Sequence, residues 1–371
     1  MARYARAPHR TNRRKELFLS SALGMEMKVL FRVDADKDHG LGHLHRCLGL
    51  ACALRVSNVQ CVFLVCGGEE ARSRAEFLGF ETLMANSVAL GGHGDLDQTL
   101  KIAAETHSTA VVIDSYSTGP QYLANLRSAG LFVAAIDDLA LHPFSCHLVV
   151  NGAAGAERLP YVSATGDTQF LLGTQYVLLR PEFWNAPERN YVREVKSILL
   201  AAGGTHRVDL LCRILTMLDE LEGDFSITVI SGPFSENPDL INRAAANCRR
   251  NTAVESSPKS LYEIMLRSDM ALTAAGQTAY ELAALGTPMV AFSIADNQIV
   301  GLQGLAQQGL CAVTEAPQEA DFFLSLKEAT TELLENGSSR QRLGLLGRSL
   351  IDGRGAFRVA NMVQRVPTYS H

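Results

Sequence analysis

The stretch Phe31-Arg32-Val33-Asp34-Ala35-Asp36-Lys37-Asp38-His39-Gly40-Leu41-Gly42-His43-Leu44-His45-Arg46 gathers reactive residue types directly behind an apolar run. Gly40 and Gly42 allow a tight turn, which puts His43 at the opening of the helical pattern that follows. An imidazole there sits against the positive end of the helix dipole, which favours its neutral form and suits it to act as a general base near pH 7. A histidine that only caps the helix or faces solvent fits the spacing equally well. His45, two residues on, points to a different face, and His39 precedes the turn, so both read as solvated or rim residues. The i, i+2 spacing of His43 and His45 does not converge on one ion, so no metal is expected. Asp34 shares the loop with His43 and is a candidate to orient the imidazole or to bind hydroxyl groups.

A second constellation lies far along the chain. Gly203-Gly204-Thr205-His206 follows the apolar run 197–202 and precedes a helical pattern, an arrangement that offers backbone N–H groups to phosphate. Thr273-Ala274-Ala275-Gly276-Gln277-Thr278 repeats it. Glu281, one turn into the next helix, fits either an acceptor of ribose hydroxyls or a plain surface carboxylate. Asp114, Asp137 and Asp138 close apolar runs, where acids serve as caps and turn formers as readily as substrate-facing groups. Asp114 is expected to cap a strand-end turn, with Tyr116 two residues beyond as the more exposed candidate.

The elements that would carry these groups alternate in one rhythm. Apolar runs at 28–33, 61–65, 110–114, 131–136 and 148–150 alternate with helical patterns such as 42–55. The alternation repeats after the Pro-rich segment 181–187, with runs at 197–202, 225–230, 270–272 and 289–292 and helical patterns at 208–221, 261–266 and 278–285. Continuous apolar strands between helices point to parallel sheets covered on both faces, here in two doubly wound, Rossmann-like halves. Ligands of such sheets sit beyond the carboxyl ends of the strands, so both halves would aim their glycine turns at one cleft.

Composition sets the outer limits. The chain has 371 residues, 34 basic against 39 acidic, and a formal charge of -5, which speaks against a nucleic-acid partner and for a small molecule. Eight cysteines without a CxxC pair read as small buried hydrophobes in a reducing, cytoplasmic setting. Residues 1–26, rich in arginine, read as a disordered basic extension, followed by an N-terminal domain at 27–185 and a C-terminal domain at 186–371. No apolar stretch reaches the length of a membrane span, so no membrane insertion is expected. Neither half has a full GxGxxG with an acid about 20 residues on, which speaks against a dinucleotide dehydrogenase. The oligomeric partner is not legible.

The ordered set formed by 31–46, Ile113-Asp114-Ser115-Tyr116, Ile136-Asp137-Asp138, Gly203-Gly204-Thr205, 274–298 and Asp352-Gly353-Arg354-Gly355-Ala356 resembles the PseG/SpsG family. The segment Ala283-Ala284-Leu285-Gly286-Thr287-Pro288 is also similar to the MurG-type glycosyltransferases of the GT-B fold. The resemblance implies a GT-B-like α/β protein that hydrolyses a UDP-linked aminodeoxy sugar of the UDP-2,4-diacetamido-2,4,6-trideoxy-hexose type, without a cofactor, in nonulosonic acid or surface polysaccharide synthesis. It implies that His43 activates water for inverting attack at the anomeric carbon, with Tyr116 near the reacting sugar; Asp34 is the further catalytic candidate, from its place on the same loop. Gly40, Gly42, Arg46, Gly203, Gly204, Thr205, Ala275, Gly276, Gln277, Glu281, Asn297 and Gln298 would hold the UDP-sugar. His206 and Ser115 depart from the hydrolase pattern, and the turn 274–278 is closer to the spore-coat and transferase branch. An inverting glycosyltransferase is the alternative.

Overall fold

Apolar runs too short to be helices become the strands of two parallel sheets. A computed structural model describes residues 27–37, 39–86, 89–202, 207–235, 237–313 and 321–365. The basic segment 1–26 and the turn Gly203-Gly204-Thr205-His206 lie outside the described residues. The first lobe runs β1 (Lys28–Ala35), α1 (Gly42–Val56), β2 (Gln60–Gly67), α2 (Glu69–Phe77), β3 (Glu81–Met84), α3 (His93–Glu105), β4 (Ala110–Asp114), α4 (Pro120–Ser128), β5 (Phe132–Ile136), β6 (Leu148–Asn151) and β7 (Gln169–Leu172). The second runs β8 (Ser197–Ala201), α5 (Val208–Glu220), β9 (Ser226–Ser231), α6 (Pro238–Ala246), β10 (Thr252–Ser256), α7 (Tyr262–Arg267), β11 (Met270–Ala274), α8 (Gln277–Leu285), β12 (Met289–Phe292), α9 (Ile299–Gln307) and β13 (Ala312–Val313). Helices α10 (Phe322–Glu335), α11 (Gly337–Leu350) and α12 (Gly355–Val363) follow.

The sheet orders are β3-β2-β1-β4-β5-β6-β7 and β10-β9-β8-β11-β12-β13. In each, the chain walks outward and returns beside its first strand, so a crevice opens between β1 and β4 and another between β8 and β11. The expected turns sit at these crevices: 36–42 follows β1, 115–119 follows β4 and 275–276 follows β11. The short strands β3, β7, β10 and β13 escape the apolar pattern because they lie toward sheet edges, with half-exposed sequences such as TAVES.

Alternation along β1 decides which side chains can reach α1. Val29, Phe31 and Val33 join the core shared with Leu44, Leu48 and Ala51 of α1, whereas Leu30 joins the core on the opposite face. Asp34, in step with Leu30 and Arg32, therefore points away from α1.

The last helix departs from the expected division at 186. Ala356, Val359, Ala360 and Val363 of α12 lie in the first lobe's core, so the chain crosses back after α11 and α12 covers α1. Each fully buried valine there contributes about 1.5–3 kcal/mol. Six of the eight cysteines are buried and all are free thiols; burial pushes those of Cys146 and Cys311 up to about 12. Among the described residues no helix is long and apolar enough to cross a membrane.

Candidate active site

Both crevices open on one cavity of about 170 Å³. His39, Gly42, His43, Arg46, Tyr116 and Asp138 line it from the first lobe, and Ala275, Gly276, Gln277, Tyr280, Asn297 and Gln298 from the second. Helix α1 opens at Gly42 and α8 at Gln277, so two helix N-termini, with their N–H donors and positive potential, border the same space. Gly40 makes the first turn possible: its φ of +70° is strained for any residue with a Cβ.

His43 is buried in the second position of α1, and its ring edge meets Tyr116 at a centroid distance of 4.7 Å. Burial lowers its pKa; Asp114 opposes this and Arg46 reinforces it, so the imidazole is neutral near pH 7. Among the described residues its Nδ1 is buried without a hydrogen bond, and it lies 3.8 Å from Asp114 Oδ1. Tyr116 donates its hydroxyl to Asp138 Oδ2 at 2.7 Å and accepts a bond from Asn297 Nδ2 at 3.2 Å, the latter across the lobes. Burial and the neighbouring Asp138 hold the Tyr116 phenol above its ordinary range.

Arg46 joins the two acids. Its Nε and Nη2 donate to Asp114 at 2.7 Å each, and Nη1 donates to both oxygens of Asp138 at 2.8 and 2.9 Å. Burial alone would raise the Asp138 pKa, but Arg46 and the Tyr116 hydroxyl overcome it and hold the carboxyl below its ordinary value. Cys47 adds a thiol donor to Asp114 at 3.5 Å.

Several expectations change. Asp34 is fully buried on the far face, bound to Arg32 Nη1 at 2.5 Å, and Arg32 in turn holds Asp95 of α3. The acid beside His43 is Asp114, on the neighbouring strand, because the parity of β1 turns Asp34 away. Asp114 is thus no mere turn cap. Glu281 does not line the cavity and is not a surface carboxylate: it is 2% exposed and its Oε1 accepts from Arg180 Nη2 at 3.1 Å. Burial raises its pKa and Arg180 opposes the rise. His45 is not solvated either. Its Nε2 is sealed without a partner among the described residues, and burial, with Arg180 and Arg74 nearby, drives its pKa well down. The reason is that α1 packs on the sheet, α12, α8 and the interlobe segment 181–183, which leaves the His45 Nε2 atom out of contact with water.

Gln277 Nε2 donates to Leu178 O at 2.9 Å and Gln298 accepts from Ile294 N at 3.0 Å, so both border the cavity already anchored. Asp138, open between a turn former and a substrate-facing group, lines the cavity, as does His39, read as a solvated or rim residue; Tyr280 was not a candidate. Tyr280 Oη accepts from Ala154 N at 3.0 Å across the lobes, and His39 Nδ1 lies 2.7 Å from Asp36 Oδ1. The signal for Asp138 was present, since it closes an apolar strand at the crevice; Tyr280, inside an apolar helix, carried none.

This geometry, two facing parallel-sheet lobes with a shared cavity, is the GT-B fold. The structure of Acinetobacter baumannii MurG covers 92% of this chain and all of its own with a TM-score of 0.65 at 15% identity. Staphylococcus aureus MnaA bound to UDP covers 91% of this chain and 96% of its own with a TM-score of 0.64 at 12% identity. No protein-family model matches the chain. Among curated proteins it is 27% identical over 276 residues to uncharacterized protein MJ1062 of Methanocaldococcus jannaschii, covering 71% of this chain and 55% of that protein. It is 26% identical over 219 residues to the spore coat polysaccharide biosynthesis protein SpsG of Bacillus subtilis, covering 58% and 64%. It is 25% identical over 288 residues to the UDP-2,4-diacetamido-2,4,6-trideoxy-β-L-altropyranose hydrolase of Campylobacter jejuni, covering 76% and 97%. The matched region thus spans just over half of the first of these relatives and under two thirds of the second. By these relatives the chain is related to the PseG/SpsG family.

Proposed function

We propose that this protein hydrolyses a UDP-linked aminodeoxy sugar of the diacetamido-trideoxy-hexose type, releasing UDP and the free sugar for nonulosonic acid or surface polysaccharide synthesis. The observation that carries the reading is His43: a neutral imidazole at a helix N-terminus, in a cavity shared by two lobes, against Tyr116. In the proposed step a water oxygen attacks the anomeric carbon while His43 takes the water's proton. The C–O bond to UDP breaks with inversion, and the leaving oxygen keeps the electron pair. Positioned base catalysis of this kind is worth about 10²–10⁴ in rate. UDP leaves as an anion that needs no proton donor, and the N-terminus of α8 with Ala275, Gly276 and Gln277 suits its charge. Asn297 and Gln298, on the second lobe, would contact the sugar. The relation to a hydrolase along 97% of its length, and to SpsG, supports the substrate class.

The GT-B fold, shared with glycosyltransferases, favours one second reading, transfer to an acceptor hydroxyl by the same histidine. Incubation with a panel of UDP-linked aminodeoxy sugars, followed by NMR, separates the two. Nucleotide release without an acceptor, giving the inverted anomer, is the expected result. Release only when an acceptor is added would overturn hydrolysis in favour of transfer.

A further inference from the structure

We propose that Arg46 is a positioning residue that sets His43 and Tyr116 together through the two carboxylates it holds, and that it is not a ligand of the diphosphate. The proposal rests on the reading of His43 and Tyr116 as the reacting-centre residues and concerns what holds them there.

An arginine has five N–H donors. At Arg46 Nε and one N–H of Nη2 go to Asp114 and Nη1 goes to Asp138, so four bonds hold the fork within the first lobe and the second Nη2 N–H goes to neither acid. The triad of one guanidinium and two carboxylates carries a formal charge of -1, which repels a diphosphate instead of attracting it. Each acid in turn faces one of the two candidate groups. Asp138 Oδ2 accepts the Tyr116 proton at 2.7 Å, which aims the phenolic lone pairs at Asn297.

Asp114 faces His43. Its Oδ2 already accepts from Arg46 Nε and the Cys47 thiol, while among the described residues Oδ1 accepts only from Arg46 Nη2 and lies 3.8 Å from His43 Nδ1, which has no hydrogen-bond partner among them. The remaining acceptor position on Oδ1 therefore favours a proton on Nδ1 and leaves Nε2 as the base. The charged and titratable groups facing His43 are Asp114 at the end of β4, Arg46 on α1, Asp138 beyond β5, His39 in the turn and Tyr116.

Three variants test this, with UDP affinity measured by calorimetry and His43 followed by imidazole NMR across pH. Arg46→Lys keeps the charge but cannot fork to both acids. It should lower kcat by about 10- to 100-fold through misplacement, with the Kd for UDP within about 3-fold of wild type. Arg46→Gln removes a cation that lowers the His43 pKa, so that titration should move up, with the acid limb of kcat following it. Asp138→Asn, which keeps the pair of Arg46 and Asp114, should lower kcat and leave UDP affinity unchanged. A tenfold or greater loss of UDP affinity in Arg46→Lys, or an unmoved His43 titration in Arg46→Gln, would overturn the proposal. If wild-type protein releases no nucleotide from any UDP-sugar, the functional reading fails, while the His43 titration still decides the role of Arg46.

Discussion

At the scale of single residues, the outcome turns on which charges share a dry environment. His43 and His45 are both held neutral by burial, so both protonate less readily in the folded chain than their ordinary pKa of 6.5 implies. A base that stays neutral below that value should give a kcat/KM profile whose acid limb lies below pH 6.5; a limb at or above 6.5 would contradict the assignment of His43. The same shifts bear on stability. Below pH 6.5 the unfolded chain binds protons that the folded chain refuses, so stability is full above 6.5 and falls as the pH is lowered through it. Urea unfolding at pH 7.5 and at pH 5.5 should show a lower midpoint at the acid pH, and equal midpoints would argue against buried neutral histidines. Neither shift was legible in the linear sequence, where His43 had two equal readings and His45 looked wet, because the groups packed around them, such as Tyr116 beside His43 and Arg180 near His45, lie far along the chain.

At the scale of elements, α1 is the keystone of the first lobe. Ten of its fifteen residues are buried, and it packs so closely on the interlobe segment that a Cβ at Gly49 would come 2.6 Å from the Leu179 carbonyl oxygen. Gly49→Ala should cost about 1–3 kcal/mol by overpacking, whereas Gly42→Ala, where a Cβ meets nothing within 4 Å, should leave stability the same or slightly higher. Equal denaturation midpoints for the two variants would show that the segment yields freely. The helical spacing of Leu44, Cys47, Leu48, Ala51 and Leu54 announced this helix. It could not announce that α12 closes over it, since α12 lies some 300 residues on and its four inward residues match the core of either lobe equally well.

At the scale of the whole molecule, two sets of contacts fix how the lobes meet. Beside the cavity stand the bonds from Asn297 to Tyr116, Gln277 to Leu178 and Ala154 to Tyr280. On the other side of α1, Arg74 of α2 donates to the carbonyls of Pro258 and Lys259 at 3.2 and 3.3 Å and to Ser257 Oγ at 3.2 Å. The Lys259 ammonium lies 4.0 Å from the centre of the Phe77 ring, and Arg180 donates to the Lys259 carbonyl at 3.2 Å while it pairs with Glu281. The loop 257–260 is thus gripped by α2 and by the interlobe segment at once. Arg74→Ala should release one grip, and small-angle scattering should record a larger radius of gyration than for the wild-type chain; an identical profile would mean that the remaining contacts suffice.

What the amino-acid sequence determined by itself is the pair of parallel-sheet lobes, the turns at their crevices and the candidacy of His43 and Tyr116. Those features are local: apolar runs, glycine turns and the first residues of helices depend on neighbours within a few positions. The tertiary structure alone decided the rest. It put Asp114 in place of Asp34 beside the histidine, because alternation along β1 sends Asp34 to the opposite face of the sheet. It bound Arg46 to two acids, 68 and 92 residues away, and sealed Glu281 against Arg180, 101 residues away. Such pairings follow from which strands become neighbours, a matter of sheet order that no stretch of sequence carries.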